Sequence, residues 1–357
     1  MSSAIRPFVY EALPYRVIFG QDTLASLREE AARLGIRRAL VLTTPQQVEQ
    51  GHVAGRHLGD LLAGQFSEAQ MHTPVAVTER ALAQVIGQDI DGLVAIGGGS
   101  TIGLGKALSL RSGLPQIAVP TTYAGSEMTP ILGETSEGIK TTKRQPEILP
   151  DTIIYDVRLT LGLPVPMSAT SGMNAIAHAV EALYAPDTNP IISMMAESGA
   201  AALVRALPVI RDDARNLAAR TDALYGAWLC GACLGVVTMS LHHKLCHVLG
   251  GSFDLPHSET HSAVLPHAIA YNAPAAPEAM ARMARAMGTE DVAGGLYDLA
   301  KSLGIRMDLA GLGMPETGID RAADIAVQNP YANPRPIERE AIRALIARAY
   351  RGDRPQS

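Results

Sequence analysis

Aromatic residues are scarce: Phe, Trp and Tyr make up 4% of 357 residues, with a single Trp and four Phe. A core short of rings must be filled by aliphatic and small side chains, which suits helices that approach closely through Ala and Gly. Cysteine is sparse too. Three thiols, Cys230, Cys233 and Cys246, make no disulfide framework. Cys230 and Cys233 have redox-motif spacing but lie in an apolar helical run, so two buried thiols are expected. Positive charge is not in excess: the formal net charge of −5 lacks the basic footprint of nucleic-acid or anionic-membrane binding. No apolar run reaches the roughly 18 residues that span a bilayer, and the opening MSSAIRPFVYEALPYRV has no signal-peptide hydrophobic region. A cytoplasmic protein without membrane partners is the expectation.

What is present is an ordinary globular composition, 47% apolar and 18% charged, long enough for two domains. The first half alternates strand and helix patterns. Strands are expected at 15–19, 38–43, 65–71, 91–96 and 116–120, separated by amphipathic segments such as TERALAQVIGQ and GLGKALSL. Strand, crossover helix and strand repeated in this way imply a doubly wound parallel sheet. From about residue 159 Ala-rich amphipathic segments follow one another, ending in a helix over 335–350. The expected architecture is an α/β N-terminal nucleotide-binding domain, residues 1–158, plus an all-α C-terminal domain, residues 159–357. The seam lies within 156–164, and the tail 351–357 reads as disordered.

Two loops carry ligand chemistry in the first half. Gly97-Gly98-Gly99-Ser100 follows a buried strand and opens a helix, so its backbone can approach an anion while the helix start presents unpaired N–H groups. It is not the dinucleotide fingerprint, because Ile102 takes the last glycine position, and it is not a P-loop, because Ala107 follows Lys106. PTTYAGSEMT, 120–129, follows the next strand and is rich in hydroxyls. Adjacent loops at the carboxyl ends of neighbouring strands are where such sheets bind nucleotides.

In the second half, Asn174 and His178 are four residues apart, as are His243 and His247, so each pair shares a face of its helix. His257 follows close behind. His242, His261 and His267 are read as helix-surface or structurally hydrogen-bonded residues. Three neutral imidazoles could hold zinc with an open position.

The stretches GGGSTIGLGK, PTTYAGSEMT, NAIAHAVEALY and HHKLCHVLGGSFDLPHSETHSAVLPHAIAYN, with Lys140 ten residues before Pro150, resemble the iron-type (group III) alcohol dehydrogenases over about residues 5–345. The resemblance implies the architecture shared with dehydroquinate synthases, an active site in the cleft between the domains, and a homodimer. The family's Asp and three His metal ligands fall on Asn174, His178, His243 and His257, and its nicotinamide-adjacent histidine on His247. Two departures stand out: the Asp ligand is Asn174, and the Asp of the family's glycine loop is Gly103. Both resemble the maleylacetate reductase branch, which implies metal-free, NAD(P)H-dependent reduction of a conjugated carbon–carbon double bond in a small dicarboxylate. Thr44 stands where NAD-selective relatives carry an Asp, so both NADH and NADPH are admissible.

On this reading the cofactor is held by Thr44, Gly97, Gly98, Gly99, Ser100, Thr121, Thr122, Ser126 and Lys140. His243 is the proton donor, with His178, His247 and His257 as imidazolium groups around the dianion. Asn174, Tyr123 and Tyr331 are substrate candidates. No metal is expected; His178, His243 and His257 are the ligands if one binds. A metal-dependent (iron or zinc) alcohol or polyol dehydrogenase is the alternative, and a non-catalytic nucleotide-binding protein the third reading.

Overall fold

The computed structural model describes residues 7–137 and 139–355, with the side chains of residues 139 and 140 also outside the description. The chain divides into two compact units, Leu13–Leu163 and Pro164–Ser357, the latter joined by the chain up to Ala12. The division falls inside the expected seam, at 163/164 rather than 158/159, because a 3-10 segment, Val157–Gly162, continues directly from the last strand.

The first unit contains eight strands among its described residues: β1 (Arg16–Gly20), β2 (Ala39–Leu42), β3 (Leu62–Phe66), β4 (Gly92–Gly97), β5 (Gln116–Pro120), β6 (Ile131–Ser136), β7 (Ile139–Arg144) and β8 (Thr152–Asp156). Six form a parallel sheet in the order β1-β8-β5-β4-β2-β3. The helices α1 (Leu27–Arg33), α2 (Val48–Leu58), α3 (Val75–Gly87) and α4 (Gly99–Ser112) alternate with the strands. The central strands β4, β5 and β8 are buried throughout, so GLVAIG, QIAVP and TIIYD read as continuous apolar runs rather than alternating ones. One face of the sheet packs Val41, Val94, Ile96, Val119 and Ile154 against Leu27, Ala31 and Ala54 of α1 and α2.

Three features differ from the sequence expectation. β3 occupies 62–66, not 65–71: its pairing with β2 ends at Phe66, and the following residues leave the sheet. β8 takes its place beside β1 and β5, where the sequence suggests only a domain seam. β6 and β7 form a separate antiparallel hairpin, whose polar run IKTTKR hides its strand character.

The second unit is helical throughout its described residues: α5 (Val165–Tyr184), α6 (Pro190–Asp212), α7 (Leu217–Val236), α8 (Leu241–Phe253), α9 (His257–Asn272), α10 (Pro277–Met287), α11 (Val292–Ser302), α12 (Gly318–Ala326) and α13 (Arg339–Arg351). The shortage of rings is visible in its packing. A Cβ on Gly226 of α7 would lie 2.7 Å from the Gly199 carbonyl oxygen of α6, so the two backbones nearly touch. By length and composition α6 could cross a membrane; half of its most apolar window is buried, as in a core helix. The expected disordered tail is ordered as far as residue 355: Tyr297 donates to the Gly352 carbonyl, and Arg354 pairs with Asp291 and Asp298.

Candidate active site

The helical unit gathers a cluster of imidazoles from three helices. α5 brings Asn174 and His178, both buried, one turn apart. α8 brings His242, His243 and His247, and α9 brings His257 and His261. The His243 ring lies 5.1 Å, between centroids, from each of His178, His242 and His261, and 6.5 Å from His247. The His257 ring lies 4.3 Å, between centroids, from that of His261, tilted by 57°. His247 and His257 are exposed, while the other four are buried.

Glu181 organises this cluster and escapes sequence reading. It sits one turn beyond His178 on α5 and is completely buried. Its carboxylate accepts the backbone N–H groups of Ser240, His242 and His243 at 3.2, 2.9 and 3.4 Å, at the start of α8. Those donors, left without intrahelical partners, favour an anion there. Burial raises the Glu181 carboxyl above the ordinary carboxylate value, and the His242 imidazole and the three N–H groups oppose that rise. The same carboxylate lies 2.6 Å from His243 Nδ1, so that nitrogen carries the proton and Nε2 is the free, reactive one. The spacing 174, 178, 181 along one helix face is the signal that could have found it.

The remaining polar atoms await a partner. Asn174 Oδ1, His178 Nδ1, His243 Nε2 and both nitrogens of His261 are buried without a hydrogen bond. Such atoms are costly unless a ligand or water satisfies them. His261 is therefore part of the cluster, neither a surface residue nor a hydrogen-bonded structural one. His242 does play a structural part: its Nε2 donates to the His261 carbonyl at 3.0 Å. His267 is buried without a hydrogen bond outside the cluster, and burial pushes it down to about 4. Burial, followed by mutual repulsion among the rings, holds His178, His243 and His261 well below the ordinary imidazole value. Burial thus weighs against the imidazolium form expected of His178 in the free chain.

The iron-binding arrangement suggested by the family does not fit these donors. Asn174 contributes a neutral amide, and the carboxylate of Glu181 is spent on α8 and His243 Nδ1, whereas iron sites of this kind use an anionic oxygen. His242, His243 and His261 each offer one ring nitrogen within 4.8 Å of the others, a neutral set of the type zinc accepts.

The first unit presents a separate set. Strand order reverses at β2 and β4, and the loops leaving β2, β4 and β5 lie at their carboxyl ends. Gly97 ends β4 and Gly99 begins α4. A Cβ on Gly97 would meet Thr101 Oγ1 at 2.5 Å and Gln47 Oε1 at 2.6 Å, and one on Gly98 would meet Thr122 Cγ2 at 2.9 Å; Gly99 faces open space. Gln47, unnoticed in the sequence, ties the loops leaving β2 and β5 by accepting from Thr44 Oγ1 at 3.2 Å and donating to Thr121 Oγ1 at 3.0 Å. Ser100 and Thr122 are half-buried beside these groups.

Lys106 points inward rather than toward a phosphate: its ammonium donates to the Ser126 carbonyl, to Thr129 Oγ1 and to the Ile131 carbonyl, tying α4 to the hydroxyl-rich loop. Burial pushes it down to about 7, against the pull of Glu127. Ser126 keeps its own hydroxyl unpartnered, and Tyr123 is completely buried. The side chain of Lys140 lies outside the described residues. At Gly103 a Cβ would sit 2.3 Å from Thr73 Oγ1, so the family's Asp has no room there unless Thr73 moves.

An N-terminal sheet with a glycine loop and a helical unit carrying two polar residues one turn apart are family features, and the family match is direct. The iron-containing alcohol dehydrogenase model matches residues 14–157, and the C-terminal model of the Fe-containing alcohol dehydrogenase family matches 168–350. The chain belongs to the iron-containing alcohol dehydrogenase family and is an oxidoreductase. Within it, the chain is 57% identical over 345 residues to the maleylacetate reductase of Sphingobium indicum, covering 97% of this chain and 98% of that protein. It is 54% identical to the maleylacetate reductase of a Rhizobium species over 99% of this chain and 100% of that protein. The crystal structure of maleylacetate reductase from Agrobacterium tumefaciens superposes with a TM-score of 0.95 at 56% identity, covering 98% of this chain and 100% of that one.

Proposed function

We propose that this chain reduces maleylacetate to 3-oxoadipate with NADH or NADPH, and without a metal. The observation that carries the reading is Asn174: the family's anionic ligand is replaced by a neutral amide amid buried imidazoles with unpartnered nitrogens, in a chain more than half identical to maleylacetate reductases. The substrate is a dianion whose double bond is conjugated with a ketone. The nicotinamide gives a hydride to the alkene carbon remote from the ketone, the carbon–carbon π bond breaks, and its electron pair moves onto the ketone oxygen as an enolate. A proton then adds to the carbon between, leaving the saturated ketone and the oxidised cofactor.

His243 is the group that directs Nε2 to the enolate, with Glu181 behind it. Burial keeps the free imidazole neutral. A bound dianion together with the Glu181 carboxylate favours the imidazolium, which can donate at Nε2. Asn174 offers its amide N–H without repelling a carboxylate, and His178, His247, His257, Tyr123 and Tyr331 are proposed around the substrate. Thr44, Gly97, Gly98, Gly99, Ser100, Thr121, Thr122, Ser126 and Lys140 are proposed to hold the dinucleotide. The same reading places the enzyme in the cytoplasm as a homodimer, with no nucleic-acid or membrane partner.

The test is an NADH-oxidation assay with maleylacetate, identifying the product and counting cofactor. One NADH consumed per 3-oxoadipate formed is the expected result. No turnover, together with metal-dependent oxidation of alcohols, would replace this reading by that of a metal-dependent alcohol dehydrogenase.

A further inference from the structure

We infer that Lys244, backed by the ring of Tyr331, binds one carboxylate of the substrate and selects doubly charged substrates. The inference rests on the dicarboxylate reading above. A dianion carries two negative charges, and the His243 imidazolium invoked above answers one of them, which leaves a place for a second cation beside the cluster. α8 carries a single cation and no acidic residue: within LHHKLCHVLGGSF that cation is Lys244, next to His243 and three residues before His247. Lys244 is half-buried, and it makes no ion pair with any described residue. Its Nζ lies 5.7 Å from the centroid of the Tyr331 ring, a position in which the ring face steadies an ammonium group without neutralising it.

Tyr331 is a partner of matching chemistry. Its hydroxyl is buried with no hydrogen bond among the described residues, so its O–H is unspent. Burial and then the nearby charge of Glu181 hold the phenol in its protonated form. Through Glu181 the phenol is near the carboxylate that orients His243. An ammonium and a phenol O–H, both unspent, on the histidine-bearing helix and the strand of chain beside it, form a carboxylate receptor. A lysine kept only for solubility would be replaceable by any polar residue.

The test compares wild type, Lys244→Met and Lys244→Arg in the full chain, using maleylacetate and its monomethyl ester, with thermal melts to verify folding. Lys244→Met should raise KM for maleylacetate about 10- to 100-fold, the loss of a charge-assisted hydrogen bond, with kcat changed no more than about 3-fold. Lys244→Arg should restore most of the affinity, and Lys244→Met should lose the wild-type preference for the diacid over the ester. If the Met variant does not fold, Lys244→Gln gives the same readout. An unchanged KM, or a fall in kcat alone, would overturn the role of Lys244 while wild-type turnover leaves the enzyme's function standing. A wild-type chain inert toward maleylacetate would instead remove the function itself.

Discussion

The glycine-loop region of the first unit and the histidine cluster of the second solve opposite problems. Around Gly97 several polar side chains are already paired: Thr44, Gln47 and Thr121 hold one another, and Lys106 spends its ammonium on two carbonyls and a hydroxyl, while the hydroxyls of Thr101 and Ser126 stay unpartnered. What remains for a ligand is backbone and a few hydroxyls. Around His243 the arrangement is reversed, with backbone donors consumed by Glu181 and side-chain nitrogens left bare. A region that offers backbone suits a large ligand shared by many enzymes. One that offers unsatisfied side chains at fixed angles suits a particular reaction. The difference teaches where substitutions should change chemistry and where they should change only binding.

The largest effect is expected at His243. His243→Ala should lower kcat by about 10²- to 10⁴-fold, the usual range for a lost general acid, read in steady-state kinetics at saturating NADH. Glu181→Gln should come next. It removes the charge behind Nδ1 and invites the opposite tautomer, so kcat should fall about 10- to 100-fold, the equivalent of a charged hydrogen bond worth roughly 1.5–3 kcal/mol. Retention of full turnover there would mean that Glu181 only caps α8. On the other side of the comparison, Gly97→Ala should act through the cofactor: its Cβ would collide with Thr101 and Gln47, raising KM for NADH several-fold while kcat changes little. A loss confined to kcat would erase the contrast between the two regions.

The smallest effect concerns stability against acid. His242 and His267 are both pushed down to about 4 by burial, while the unfolded chain protonates near 6.5. Between these values the unfolded state holds more protons, so stability is full above pH 6.5 and falls as the pH drops toward 4. Each is worth at most about 1.4 kcal/mol per pH unit across that window. His267→Gln should flatten the decline in chemical denaturation between pH 6.5 and 4, and an unaltered slope would show that His267 is not buried neutral.

Much of this was legible beforehand, for identifiable reasons. Buried parallel strands such as GLVAIG and QIAVP announce themselves as apolar runs, and the i, i+4 spacing of Asn174 with His178 and His243 with His247 survives as shared helix faces. β8 was hidden because a strand beside a domain seam lacks a following crossover pattern, and the β6–β7 hairpin because its residues are largely polar. Glu181 and His261 were hidden for another reason. Their importance comes from contacts between α5, α8 and α9: the spacing 174, 178, 181 puts Glu181 on the face of Asn174 and His178, but it does not reveal what a neighbouring helix end requires. Nor could spacing show that Lys244 stands over the Tyr331 ring, which is what moves attention to it.

The central claim is that a neutral imidazole cluster held by Glu181, with Asn174 in place of an anionic ligand, works without a metal. The most direct measurement is the turnover of maleylacetate by purified enzyme after exhaustive chelation, with bound metal quantified in the same sample. The account expects full turnover at far less than one metal per chain. Activity lost on chelation and restored only by added iron or zinc would contradict it.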